Sequence, residues 1–268
     1  MERLAVAPPA TEAWARRRRR AGQLLERYPF AGQLLRLYHA LLGVQERAFF
    51  RALDDRPEPA ALARYVADHV MRDIADASAA AGPPALATAA PARVRDGDTT
   101  GFVARWLAGE RQAPTDEYLA RAASGPVLEA LGSAASGACR RLAGNSGCPS
   151  CGGLPQVSYL ADAGEALVTA PRMLACCRCG DSWVYQRMTC AGCGEETSTK
   201  LPIFADGERF PHLRADACET CRRYVITVDL RRDAEAVPIV DELVALPLDL
   251  VAQERGFTKL VPNLMAIG

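Results

Sequence analysis

The sequence predicts an α+β protein in which a helical N-terminal part precedes two small cysteine-bearing modules and a C-terminal helix. Three observations carry this. Apolar residues recur at helical spacing up to about residue 145; four Cys-x-x-Cys pairs then fall within 74 residues, among β-like segments and Gly turns; and helical spacing returns after residue 230. The expected boundaries are 1–145 for the helical domain, 146–185 and 186–230 for the two four-cysteine modules, and 231–268 for the tail.

In the first part, Leu34, Leu37, Tyr38, Leu41 and Leu42 follow Pro29 at steps of three and four, and Leu62, Val66, Val70 and Ile74 do the same after Pro59. That period places one apolar stripe along each helix. Thr11 to Arg27 is expected as a shorter first helix, and Thr115 to Arg141 as one or two more around Gly125-Pro126. Ala79 to Pro91, rich in Ala, Pro and Gly, reads as a linker. Arg16 to Arg20 read as a solvated helix turn or inter-helix rim, or, more sharply, as a basic docking surface.

From Gly147 to Arg223 the texture changes to short strands: Val157 to Leu160, Ala166 to Val168, Trp183 to Tyr185, and a longer one from Arg223 to Leu230. A metal substitutes for a large core in architecture this small. In the tail, Asp241 is expected to cap a helix carrying Leu243, Leu246, Leu250 and Val251, with Pro247 near its start and Gly256 at its end. That helix should pack back onto one of the larger parts.

The cysteine pairs are Cys148/Cys151, Cys176/Cys179, Cys190/Cys193 and Cys218/Cys221. Two thiolates in one such pair converge on one metal from a tight turn, and two such turns complete a tetrahedron, so eight ligands imply two metal ions. The gaps from Cys151 to Cys176 and from Cys193 to Cys218 are both 24 residues, which indicates a tandem repeat. Sequential pairing is the simplest scheme: Cys148, Cys151, Cys176 and Cys179 at site one, and Cys190, Cys193, Cys218 and Cys221 at site two; spacing leaves an interleaved scheme open. The first three pairs are each followed by Gly, which permits the turn toward the metal. Cys218-Glu219-Thr220-Cys221-Arg222 lacks it and is expected to turn less regularly. Four thiolates form a closed shell with no position for water or substrate, which suits structural zinc and equally a single iron in a rubredoxin-like site. Cys177 and Cys139 lie outside the scheme; Cys177 reads as an exposed thiol, a substitute ligand or neither.

Composition excludes several functions. The 32 basic and 32 acidic side chains cancel, and residues 147–222 hold seven Lys/Arg against nine Asp/Glu, where phosphate contacts demand a basic surplus. A zinc-ribbon nucleic-acid module is therefore a minor alternative. No stretch approaches the roughly 18 apolar residues of a spanning helix, and charge returns directly after Arg16 to Arg20, so neither stable membrane insertion nor a secretory signal is expected. A cytoplasmic protein is expected, where ten cysteines read as ligands or redox groups before disulfides. A thiol-disulfide enzyme needs one pair at a helix N-terminus, not four among strands. His39, His69 and His212 are too scattered for a histidine centre and read as surface or helix-packing residues. Phosphate-binding, hydrolase and metalloprotease motifs are absent, so an ordinary enzyme is not expected.

The setting of the four pairs resembles the formate dehydrogenase accessory protein family, FdhE. The resemblance is carried by Cys148 to Pro155, Cys176 to Trp183 with Arg187, Cys190 to Cys193, Cys218 to Tyr224, Leu248-Asp249, and Glu254-Arg255-Gly256-Phe257. It is specific over residues 145–268; the N-terminal part agrees in type and length. Two departures stand out: Ile226 occupies a position where the family often has lysine, and Cys177 makes the second pair Cys-Cys-x-Cys. The resemblance implies a cytoplasmic assembly factor with two rubredoxin-like metal modules holding iron or zinc. It further implies binding to the catalytic subunit of respiratory formate dehydrogenase before twin-arginine-dependent export. The alternative is a redox protein whose metal-thiolate or dithiol sites change oxidation state as the activity itself.

Overall fold

The computed structural model describes residues 10–141, 146–161 and 171–264. Helices fill the first half: α1 (Ala10–Arg27), α2 (Gly32–Asp55), α3 (Leu62–His69), α4 (Met71–Ala81), α5 (Pro84–Asp96), α6 (Thr99–Ala108) and α7 (Pro114–Leu131). The expected single stripe on α2 divides between two cores: Leu37 and Leu41 face one, and Tyr38 and Leu42 face the other, with Leu34 partly buried against it. The stripe after Pro59 is broken at Val70, whose φ of −127° interrupts the helix and separates α3 from α4.

Two expectations for this half are corrected. Ala79 to Pro91 is not a linker: the turn is confined to Gly82-Pro83, and Pro84 starts α5, whose Pro91 is carried inside the helix. Alanines dominate because α5 lies close against α4, with Ala90 fully buried. The expected helical stretch to Arg141 also stops short: it is one helix, α7, which runs through Pro126 and ends at Leu131, followed by a 3-10 turn over Gly132–Ala138. A proline inside a helix removes the donor to the carbonyl four residues earlier. Here Gln45 Nε2 donates to that carbonyl, Ala122 O, at 3.0 Å, so the helix continues.

The second half forms one sheet of seven strands: β1 (Pro155–Leu160), β2 (Arg172–Cys176), β3 (Ser182–Tyr185), β4 (Ile203–Ala205), β5 (Leu213–Cys218), β6 (Arg223–Asp229) and the short β7 (Thr258–Lys259). The expected strands at 157–160, 183–185 and 223–230 are present; that at 166–168 lies outside the described residues. The order is β3-β2-β1-β6-β5-β4. Each half contributes three antiparallel strands in the same order, and the two meet where β1 runs parallel to β6, Val157 facing Ile226. The tandem repeat therefore becomes a translation along one sheet.

The tail is α8 (Pro238–Asp241), a 3-10 turn at Glu242–Val244, and α9 (Leu246–Glu254), which lies on β4 and β5. It is not one helix capped by Asp241; that residue ends α8 and accepts the Val237 N–H at 2.7 Å. Gly256, at φ +78°, turns the chain out of α9. One core joins α2 to α7 with the cysteines of the first cluster. The other joins α1, α2 and the tail with one sheet face, through Trp14, Leu24, Val157, Ile226 and Leu248.

Candidate metal centres

Four tight turns present the cysteines, two of them joining paired strands, β2 to β3 and β5 to β6. Cys148, Cys176 and Cys190 close their turns through N–H bonds to the carbonyls of Gly153, Asp181 and Glu195 at 2.8–2.9 Å, and Cys218 stands opposite Arg223 in the β5/β6 register. A second bond, from the residue after the pair back to the first cysteine carbonyl, recurs at Gly152, Gly194 and Arg222, 2.8 to 3.0 Å long. All three residues are left-handed, at φ +70°, +80° and +58°. The fourth turn is thus as regular as the others, contrary to the sequence expectation. Arg222 adopts an angle that costs a residue with a Cβ about 1–2 kcal/mol, and its side chain offsets this. Nη2 donates to Arg255 O at 2.7 Å, and the guanidinium lies 4.0 Å from the Phe257 ring centroid. Gly152 has no such freedom, because a Cβ there would collide with Arg141.

The turns bring the eight cysteines into two groups of four, Cys148, Cys151, Cys176 and Cys179, and Cys190, Cys193, Cys218 and Cys221. Within each group all sulfurs lie within 4.8 Å of one another. Close sulfur–sulfur edges are Cys148–Cys179 3.7 Å, Cys151–Cys176 3.4 Å, Cys190–Cys221 3.7 Å and Cys193–Cys218 3.7 Å. A tetrahedron with metal–sulfur bonds of about 2.3 Å needs sulfur–sulfur edges of about 3.8 Å, so both groups fit a four-thiolate ion and neither is a disulfide. Backbone donors already point at three of these sulfurs: Gly153 N to Cys151 Sγ, Arg178 N to Cys176 Sγ and Gly192 N to Cys190 Sγ, at 3.3–3.4 Å. Crowding pushes the Cys176 thiol up, contact with Cys148 contributing most. A bound cation reverses that by stabilising thiolates.

The two groups differ in their surroundings. The first is buried throughout and belongs to the helical core. Arg178, 2% exposed, reaches from it to the carbonyls of Arg140 and Trp106 at 2.8 and 3.0 Å. In the second group Cys190, Cys193 and Cys221 are half-buried. Cys177 is buried outside the four-sulfur group, its N–H bonded to Leu154 O, and is not an exposed thiol. Cys139 is half-buried beside Cys151, and that contact pushes its thiol up.

The structure also assembles residues that sequence reading missed or misplaced. Arg16 to Arg20 are not a free basic surface: Arg17 pairs with Glu129, Arg18 with Glu46, Arg19 with Glu12, and Arg20 with Asp233 and Asp241. His212 is neither on the surface nor on a helix. It is 1% exposed and sits 2.9 Å from Asp241, while His39 and His69 are exposed. His212, Asp233 and Asp241 converge like metal ligands, but the Arg20 guanidinium already supplies their cation. Tyr224, Asp249 and Lys259 form a third buried group, with Tyr224 Oη 2.9 Å from Asp249 and Lys259 Nζ 2.8 Å from Glu242.

A helical body joined to a single sheet that carries two four-thiolate groups defines a protein organised around two candidate closed metal centres. The family described as "FdhE, C-terminal domain" matches residues 188–266. A "Protein FdhE homolog" from Aquifex aeolicus is 36% identical over 118 residues, 44% of this chain and 41% of that protein; one from Pseudomonas putida is 32% identical over 121 residues, 44% and 37%. Those matching segments span about two fifths of the relatives' length. The crystal structure of the FdhE protein from Pseudomonas aeruginosa matches across 96% of both chains, with a TM-score of 0.70 and 25% identity. These similarities, of the C-terminal part in sequence and of the whole chain in fold, support an FdhE family protein. The motif segments that carried the resemblance meet in space, Arg222 on Arg255 and Phe257, and Tyr224 on Asp249. Ile226, which replaces the family's frequent lysine, is fully buried under the helices.

Proposed function

We infer that the protein is an accessory factor for formate dehydrogenase, one that binds and readies the catalytic subunit in the cytoplasm before export and catalyses no reaction of its own. Similarity to the FdhE family supports the accessory role. The observation that carries the rest is the pair of closed four-sulfur groups. Each uses all four positions of a tetrahedral ion, so the metal, iron or zinc, shapes a surface and leaves no site for substrate. Cys148, Cys151, Cys176 and Cys179 hold one ion in this reading, and Cys190, Cys193, Cys218 and Cys221 the other, in rubredoxin-like modules at 146–185 and 186–230.

Among the described residues no helix is long and apolar enough to cross a membrane. Affinity capture from the native cytoplasm tests the reading: the catalytic subunit should co-purify, and deletion should lower formate dehydrogenase activity far more than synthesis of the subunit. Normal activity in the deletion strain contradicts it. The half-buried second group favours one other reading, a redox-active iron-thiolate centre. Visible absorption that bleaches reversibly on reduction would select that reading, and colourless protein would reject it.

A further inference from the structure

The sheet face turned away from α1 and α9 holds a cleft beside the second four-sulfur group. It is lined by Thr189 to Gly192, by Ile203 of β4, and by Leu160 and Val225. Two large apolar side chains stand exposed at its rim, Met188 at 58% and Ile203 at 53%. Met188 is held there by a left-handed backbone, φ +58°, an angle that a side chain adopts only where its surroundings impose it.

The cleft is also basic. Arg172, Arg187, Arg214 and Arg223 line it, against the carboxylate of Asp216. Asp216 is already shared, accepting from Arg214 at 2.8 Å and from the Thr227 hydroxyl at 2.7 Å, with Arg172 at 3.9 Å. This local surplus reverses the sign of the surrounding segment, where acidic residues outnumber basic ones. Fixed cations beside exposed apolar side chains complement a ligand that is both anionic and apolar. Strand β4 adds a direction: among the described residues it ends the sheet, and an end strand can accept an extended chain.

We propose that this cleft binds an extended polypeptide segment alongside β4, with an aliphatic side chain seated between Met188 and Ile203 and a carboxylate two residues away facing Arg214 and Arg223. The two-residue step follows from strand geometry, which points alternate side chains to one face. The proposal rests on the client-binding reading and assigns it a surface. The second metal centre then has a mechanical task, because Cys190 belongs both to its four-sulfur group and to the lining of the cleft.

The probe is a fluorescein-labelled peptide in which Glu and Leu alternate with Thr between them, compared with its Lys-for-Glu counterpart by anisotropy on metal-loaded full-length protein. The Glu peptide should bind and the Lys peptide should not. Ile203→Asp and Arg223→Glu, both at exposed positions, should each weaken the Glu peptide by about tenfold or more, with metal content and circular dichroism unchanged. Failure of the Glu peptide to bind, equal binding of both peptides, or unchanged binding in both variants would overturn the proposal. Capture of the formate dehydrogenase catalytic subunit separates the two readings. If both variants capture it like the unmodified protein, the cleft is wrong and the accessory role stands. If the unmodified protein captures none while the peptide binds, the cleft stands and the accessory role falls.

Discussion

Arg20 on α1 donates from Nε to both carboxylate oxygens of Asp241 at 3.0 Å, and from Nη2 to Oδ1 at 2.5 Å, across 221 positions of sequence. Asp241 is fully buried, and the same oxygen lies 2.9 Å from His212 Nε2. One carboxylate therefore fastens the first helix, the residue before β5 and the end of α8 together. Removing one partner leaves an uncompensated buried charge, which costs about 3–5 kcal/mol. Arg20→Leu should lower the midpoint of urea unfolding accordingly, and Arg19→Leu, at an exposed pair, should leave it nearly unchanged. Equal effects would show that Arg20 is not the tie.

Arg222 offers a test of backbone against side chain. Arg222→Ala keeps the unfavourable left-handed angle and loses the bonds to Arg255 and Gly256, whereas Arg222→Gly loses the bonds but removes the strain. The Gly variant should be more stable than the Ala variant by about 1 kcal/mol. Thermal melting of the two metal-loaded variants decides, and an Ala variant as stable as Gly would contradict the turn assignment.

Asp249 gives the fold a pH dependence with a definite sign. Burial, the largest cause, raises its pKa to about 6, although Lys259 pulls it down. The folded state thus holds this proton more tightly than the unfolded chain. The contribution is complete below about pH 4 and is lost as pH rises through about 6, an effect on the order of 2–3 kcal/mol. Relative to Asp249→Asn, the unmodified protein should lose stability between about pH 4 and pH 6, measured with both metals held saturating. A constant difference across that range would contradict the assignment.

The two centres should release metal unequally. The first group is buried within the helical core and the second is half-buried, so a chelator should strip one equivalent quickly and the other slowly. Cys218→Ser should remove the fast phase and Cys148→Ser the slow one. Because the first cysteines share a core with α2 and α7, Cys148→Ser should also increase hydrogen exchange in those helices. Protection there that matched the unmodified protein would show the helical part standing independently of its neighbouring centre.

The cysteine groups were legible in the sequence because Cys-x-x-Cys is a local signal and equal gaps expose a repeat. The seam between β1 and β6 was not, since parallel pairing of Val157 with Ile226 leaves no short-range mark. β5 escaped notice because Ala215 and Ala217 supply its buried face with little strand preference. The arginine run fits the inter-helix rim, with Arg17 on Glu129 and Arg18 on Glu46, and not the docking surface. Its partners Glu129, Asp233 and Asp241 are far away in sequence, so a segment that looks like free charge is spent holding the fold together.

Metal content and coordination test the two-centre organisation most directly. Protein purified without oxygen should contain two equivalents of metal, and X-ray absorption should report four sulfurs per ion at about 2.3 Å. Fewer than two equivalents in the purified protein, a nitrogen or oxygen ligand in the shell, or a disulfide between Cys148 and Cys151 would contradict it.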